Sequence, residues 1–258
     1  MPEPNKTVVF LDVGDTLIFA RRTMHEAIVA ICKKAGLEVE EQFVRENAIE
    51  IKPTLGPMTT LDLEAFRAWW MRLYTELLNR CGYPGNIKKA QEELWSIWRS
   101  GTALRLFPDT RHSLDTLHRQ GYRMAIISNW GDTLETALRS TGIRRYFEKV
   151  FGSYSLGVEK PDPEIFRLAL REMAVDSRHA WHVGDSMDSD VEGAMAAGIR
   201  PILIDYFGKY DGVPPGVPLA RSLSDVVQIL DGKTQGKQIG NLEDSGTKRY
   251  LASTWKNR

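Results

Sequence analysis

The segment Thr7-Val8-Val9-Phe10-Leu11-Asp12-Val13-Gly14-Asp15-Thr16-Leu17 divides into an apolar half and a polar half. Thr7 to Leu11 is short, rich in β-branched and aromatic residues, and followed by a glycine-containing turn, which predicts a buried strand. Asp12 to Leu17 then stands at the carboxyl end of that strand. Apolar segments of the same kind recur at Tyr122 to Ile127, Ala180 to Val183 and Pro201 to Ile204, separated by helix-like segments such as Pro163 to Met173 and Val191 to Ala197. Strands alternating with helices predict an α/β fold, a parallel sheet covered on both faces. Ligands of such sheets sit outside the carboxyl ends of the strands. Three polar clusters, Asp12 to Thr16, Ser128-Asn129 and Gly184-Asp185-Ser186, each follow a strand and converge on that rim.

From Arg21 to Leu104 the pattern changes to helix after helix. Phe66, Trp69, Trp70, Leu73 and Leu77 share one helical face, and Trp95 and Trp98 repeat the spacing. A small helical unit inserted in the core is the expectation, and at helical spacing its tryptophans read as packing before they read as a substrate pocket. Leu223 to Leu230 predicts a last helix. Beyond it Gly232 to Arg258 is polar, with six basic residues against two acidic, and reads as a flexible tail in which Tyr250, Leu251 and Trp255 are the docking candidates. The layout is thus a core of residues 1–20 and 105–231, a helical cap of residues 21–104 and a tail of residues 232–258.

With 34 basic and 34 acidic residues in 258, the formal charge is zero, so no global field points to nucleic acid or an anionic membrane as a partner. Cys32 and Cys81 are the only cysteines, too few for a disulfide framework, which fits a reducing compartment. The run Val8 to Leu11 is broken by Asp12 and is shorter than a signal peptide's apolar region, and no later segment is long enough to span a membrane. The expectation is a cytoplasmic protein with no membrane partner; oligomeric state is not legible.

Asp12 and Thr16 suit either catalysis or the capping of a turn. In Gly184-Asp185-Ser186-Met187-Asp188-Ser189-Asp190, Asp185 and Asp190 suit a hard cation such as Mg²⁺, or an acidic helix cap. Lys160, in Gly157-Val158-Glu159-Lys160-Pro161-Asp162-Pro163, ends a loop stiffened by two prolines and suits either phosphoryl charge or solvent. Ser128-Asn129 suits the cradling of phosphate oxygens or a plain turn. Arg21, Arg22 and His25 mark the entry to the helices, where a solvated hinge is the commoner role. His182 reads as a packed or hydrogen-bonded core histidine, and Trp130 as a pocket wall or loop cover.

Together these elements resemble the haloacid dehalogenase-like (HAD) hydrolase superfamily over Thr7 to Leu230, most specifically in Val183-Gly184-Asp185-Ser186, Asp190-Val191, Gly193-Ala194 and Ala197-Gly198. The resemblance implies a Rossmann-like core with a helical cap between its first two motifs. It implies Asp12 as a nucleophile forming an aspartyl-phosphate, Ser128 holding phosphate and Lys160 neutralising charge. It further implies Mg²⁺ held by Asp185, Asp12 and the main-chain carbonyl of Gly14, with Asp190 in support, acting on a small-molecule phosphate ester. One position departs from the pattern. The family's phosphatases usually carry a second aspartate two residues after the nucleophile, as acid and base for the leaving oxygen; Gly14 stands there, and Asp15, one place late, is the candidate catalytic stand-in, or else caps the turn or braces the cap hinge.

A Mg²⁺-dependent phosphatase with weakened leaving-group protonation is the first expectation. A 2-haloacid dehalogenase also lacks the second aspartate, but Phe166 replaces its tyrosine and Asp185 its neutral residue. A HAD-like binding or regulatory protein is the third, against which stands the retention of Asp12, Lys160, Asp185 and Asp190.

Overall fold

The structure, a computed structural model, describes residues 7–21, 23–101 and 103–232. Arg22 and the tail from residue 233, with Tyr250, Leu251 and Trp255, lie outside the described residues. The central strand β1 (Val8–Leu11) is buried at every position. A short antiparallel ribbon, β2 (Ile18–Ala20) with β3 (Leu104–Leu106), brackets four helices: α1 (Met24–Lys34), α2 (Glu41–Ile51), α3 (Leu63–Arg80) and α4 (Ile87–Arg99). Next come α5 (Thr110–Arg119), β4 (Arg123–Ser128), α6 (Leu134–Ser140), β5 (Lys149–Gly152), α7 (Ser153–Leu156) and α8 (Pro163–Glu172). The chain continues through β6 (Ala180–Gly184), α9 (Gly193–Ala196), β7 (Arg200–Ile204), β8 (Leu219–Ala220) and α10 (Leu223–Leu230).

Six strands pair in the order β5-β4-β1-β6-β7-β8, all parallel. Val9 and Leu11 pack with Leu114 and Leu117 of α5, Leu138 of α6 and Val226 of α10. Val8 and Phe10 face the other way, onto Ile165, Phe166 and Ala169 of α8. A strand buried on both faces needs apolar residues at successive positions, which is why Val8 to Leu11 carries no polar alternation. The α/β, Rossmann-like architecture is therefore present, with β1 at its centre.

Register sets the height of the rim. Leu11 lies beside Ile126 of β4 and Val183 of β6, and the Asp12 N–H donates to the Val183 carbonyl at 2.9 Å. Asp12, Ser128 and Asp185 thus leave the sheet at one level.

The helices between β2 and β3 have their own core, in which Trp69, Leu73, Tyr74 and Leu77 of α3 meet Ile28, Ile31, Val44 and Leu94. The aromatic face of α3 is used for packing: Trp70 lies 5.3 Å from Trp69 and 5.7 Å from Tyr74, ring centre to ring centre. The helix expected over Val191 to Ala197 begins earlier. Met187–Glu192 forms a wide π-helical turn, with the Val191 N–H donating to the Ser186 carbonyl at 3.2 Å, and α9 follows it. The wider turn lets Asp190 point back beneath the rim. The ribbon and the short outer strands β5 and β8 had no counterpart in the sequence reading, because runs of two to four residues carry too little periodicity.

The turn after β1 has an unexpected occupant at its left-handed position. Asp15 has φ +50°, whereas Gly14 is absent from the positive-φ glycines. A left-handed conformation costs an L-residue roughly 1 kcal/mol, less for aspartate than for most. The glycine of this turn therefore stands one place away from where the backbone asks for one.

Candidate active site

Asp12 ends β1 with a side chain that is nearly buried, and Lys160 reaches it from the loop before α8. The Lys160 ammonium donates to Asp12 Oδ1 at 2.8 Å and to Asp190 Oδ1 at 2.5 Å. Asp190 Oδ1 also lies 2.8 Å from His182 Nε2, and its Oδ2 accepts the Ser186 N–H at 3.0 Å. The Ser128 hydroxyl is close enough to the Asp12 carboxylate to favour its charged form. Glycine is required at Gly184, since a β-carbon there would stand 2.1 Å from the carboxylate carbon of Asp190. The lysine is placed by its backbone: Asn129 accepts the Lys160 N–H at 2.8 Å and donates its amide to the Lys160 carbonyl at 2.8 Å.

Charge in this cluster is unbalanced. Burial opposes the charge on Lys160, but Asp12 and Asp190 raise its pKa, so it is a cation. Burial likewise opposes the charge on Asp190, yet Lys160 and His182 hold its carboxyl well below the usual range. His182 is pushed down by burial and is neutral. At Asp12 burial outweighs the pull of Lys160 and raises the carboxyl. Asp185 is pushed up to about 8, first by burial and then by Asp12, Asp190 and Asp15. One ammonium thus faces three carboxylates, and oxygens of Asp12, Asp185 and Asp190 lie within 4.8 Å of one another. Three carboxyls that would together carry two negative charges beyond the one ammonium once ionised form a set of hard oxygen donors that fits one small divalent cation, Mg²⁺ in particular.

Lys160→Met removes the only buried cation of this cluster and leaves Asp12 and Asp190 facing each other. Breaking a buried ion pair from one side typically costs ~3–5 kcal/mol, and a urea denaturation series at neutral pH is expected to show a loss of that size. A change under about 1 kcal/mol, the scale of a surface pair, would mean that the cluster is solvated.

Asp12, Ser128, Lys160, Asp185 and Asp190 come together, as the sequence reading has them. Asn129 comes to the same rim, where one N–H and one oxygen lone pair of its amide bond the Lys160 backbone and the second N–H is left over. Asp15 is exposed, and its charge is felt by Asp185. Gly14 faces Trp130: a β-carbon at Gly14 would meet Trp130 Cζ3 at 3.7 Å. The indole N–H of Trp130 donates to Thr133 Oγ1 at 3.0 Å, so the ring is held as a wall beside Gly14. His182 lies fully buried under Asp190, edge-on to Phe166 at 5.0 Å. Arg21 donates its main-chain N–H to the Ala103 carbonyl at 2.6 Å, at the base of the ribbon. Glu159, Ser153 and Thr60, which meet beside the lysine, had no motif to announce them.

The chain is 29% identical over 230 residues to haloacid dehalogenase-like hydrolase domain-containing protein 3 of Mus musculus, covering 85% of this chain and 92% of that protein. It is 32% identical over 221 residues to a phosphoserine phosphatase of Thermus thermophilus, covering 77% and 88%. With a glyceraldehyde 3-phosphate phosphatase of Methanopyrus kandleri it shares 30% over 242 residues, covering 87% and 98%. Among solved structures, the putative HAD-hydrolase YfnB from Bacillus subtilis superposes with a TM-score of 0.69 at 19% identity, covering 88% of this chain and 99% of that one. The sequence profile of the haloacid dehalogenase-like hydrolases matches residues 6–198, a stretch that holds Asp12, Lys160, Asp185 and Asp190. The chain belongs to the haloacid dehalogenase-like hydrolase family.

Proposed function

We propose that this hydrolase is a Mg²⁺-dependent phosphatase of small phosphate esters, working through an aspartyl-phosphate on Asp12. The observation that carries the reading is the charge imbalance: Asp12 sits against a fixed ammonium, beside an Asp185 whose carboxyl is pushed up by burial and by Asp12, Asp190 and Asp15 against only a weak opposing pull from Lys209. The phosphatase names of two relatives support it. Asp12, Asp185 and the main-chain carbonyl of Gly14 would hold the Mg²⁺, with Asp190 supporting from its bonds to Lys160, His182 and Ser186. When bound, the cation supplies the positive charge that lets an anionic carboxylate approach an anionic phosphate.

Asp12 attacks phosphorus and the ester oxygen departs, while Lys160 offsets charge on the phosphoryl oxygens and the Ser128 hydroxyl donates to one of them. Asn129 serves this step by fixing the lysine's peptide. Water then cleaves the acyl phosphate and restores the Asp12 carboxylate. Proton donation to the leaving oxygen is the weak point, since position 14 has no side chain and Asp15 is exposed. Residues 21–104 act as the cap over a core of residues 1–20 and 105–231, in a cytoplasmic protein. Phe166, buried in the core with no hydroxyl, speaks against dehalogenation.

A panel of phosphorylated metabolites with p-nitrophenyl phosphate, assayed with Mg²⁺ and with excess EDTA, tests this. Turnover that requires Mg²⁺ is expected; no turnover of any ester would overturn the reading.

A further inference from the structure

A loop of the helical insert, residues 56–62, reaches the core beside the lysine. Thr60 donates its N–H to Glu159 Oε2 at 3.1 Å and its hydroxyl to the same oxygen at 2.8 Å. The Thr59 hydroxyl donates to Glu159 Oε1 at 3.3 Å. On its other side Thr60 Oγ1 lies 2.6 Å from Ser153 Oγ, and Ser153 Oγ accepts the Trp130 N–H at 3.1 Å. Thr60 has one hydroxyl hydrogen and a carboxylate only accepts, so that hydrogen goes to Glu159; the single Ser153 hydrogen is then shared between Thr60 Oγ1 at 2.6 Å and the more distant Trp130 carbonyl at 3.3 Å. A one-way chain results, from the Trp130 N–H through Ser153 and Thr60 to Glu159, each bond polarising the next.

Two features set this chain apart from ordinary surface contact. Ser153 is fully buried and Thr60 is 8% exposed, so the bond between them is shielded from water. The chain also ends on two groups of the site: Trp130 walls Gly14, and Glu159 is bonded directly to Lys160. A second contact lies nearby, where Arg99 of α4 grips Asp132 through two hydrogen bonds of 2.8 and 2.7 Å.

We propose that Glu159 is a positioning residue: it couples docking of the 56–62 loop to the placement of Lys160 and Trp130 around Asp12. Asn129 pins the lysine's peptide from the core side, and Glu159 anchors the preceding residue from the insert side. The ammonium is then fully aligned only while the loop is docked.

The experiment uses the full chain with Glu159→Ala, Thr60→Val and the double variant, with Glu159→Gln as the conservative change. Hydrogen exchange of peptides covering residues 56–62 tests the coupling without any substrate. Kinetics with p-nitrophenyl phosphate and Mg²⁺ test its consequence, and only this arm rests on the phosphatase reading. Each single variant is expected to speed exchange in residues 56–62 by about tenfold or more, the scale of one lost charge-assisted hydrogen bond, with β1 and β6 unchanged. In the same variants kcat/KM falls about tenfold, Glu159→Gln recovers part of it, and the double variant matches the worse single one because both break one chain. Unchanged exchange in Glu159→Ala, or effects that multiply in the double variant, would overturn the proposal. If the wild-type chain turns over no ester, the phosphatase reading falls and the exchange result alone decides the coupling.

Discussion

Gly14→Asp is expected to raise the turnover of alkyl phosphates by about 10² to 10⁴, the range over which a positioned general acid acts. The structure leaves room for it. Gly14 does not use a glycine-only backbone conformation, and a β-carbon there meets only Trp130 Cζ3, at an ordinary 3.7 Å. The added carboxyl would stand beside Asp12 at the mouth of the site, where the ester oxygen leaves. For p-nitrophenyl phosphate the gain should stay under about tenfold, because that leaving group departs without a proton. Equal gains on both substrates would show that the carboxylate acts on something other than leaving-group protonation. Asp15→Asn is the companion measurement: it should leave the alkyl-to-aryl ratio unchanged, since Asp15 is exposed. A selective fall in alkyl turnover would identify Asp15 as the acid.

Asp12→Asn is expected to lower turnover of every phosphate ester by about 10⁶, the scale on which removing a covalent nucleophile acts. The fold should survive, because Lys160 keeps its 2.5 Å partner in Asp190 and the amide has the shape of the carboxyl it replaces. Quenching the wild-type enzyme during turnover should trap phosphate on the protein in a hydroxylamine-labile form, and Asp12→Asn should trap none. Labelling that persists in Asp12→Asn would place the nucleophile elsewhere. Loss of turnover without any trapped phosphate in the wild type would favour direct attack by water, with Asp12 in a binding role.

Much of the site was legible in the chain because its chemistry is carried at strand ends. Asp12, Ser128 and Asp185 each follow an apolar run, and parallel strands in register bring such ends to one rim. Asn129 shows where legibility stops. An amide after a strand suits a phosphate cradle, and only the fold shows that it also holds the Lys160 peptide, 31 positions away. Gly14-Asp15 is a second case: only the backbone angles reveal that the aspartate, not the glycine, takes the left-handed position. Glu159 is a third, since its partners Thr59 and Thr60 lie 100 and 99 positions away in a loop between helices of the insert.

By itself the sequence determined the alternation of strands and helices, the helical insertion and the residues offered to the rim. Strands buried on both faces must be continuously apolar, and helices must show one apolar stripe, so these features are written in local order. The tertiary structure alone decided the charge state of the site. Lys160 and Asp12 are separated by 148 positions and meet at 2.8 Å, and electrostatic coupling depends on distance and burial, which no local pattern records.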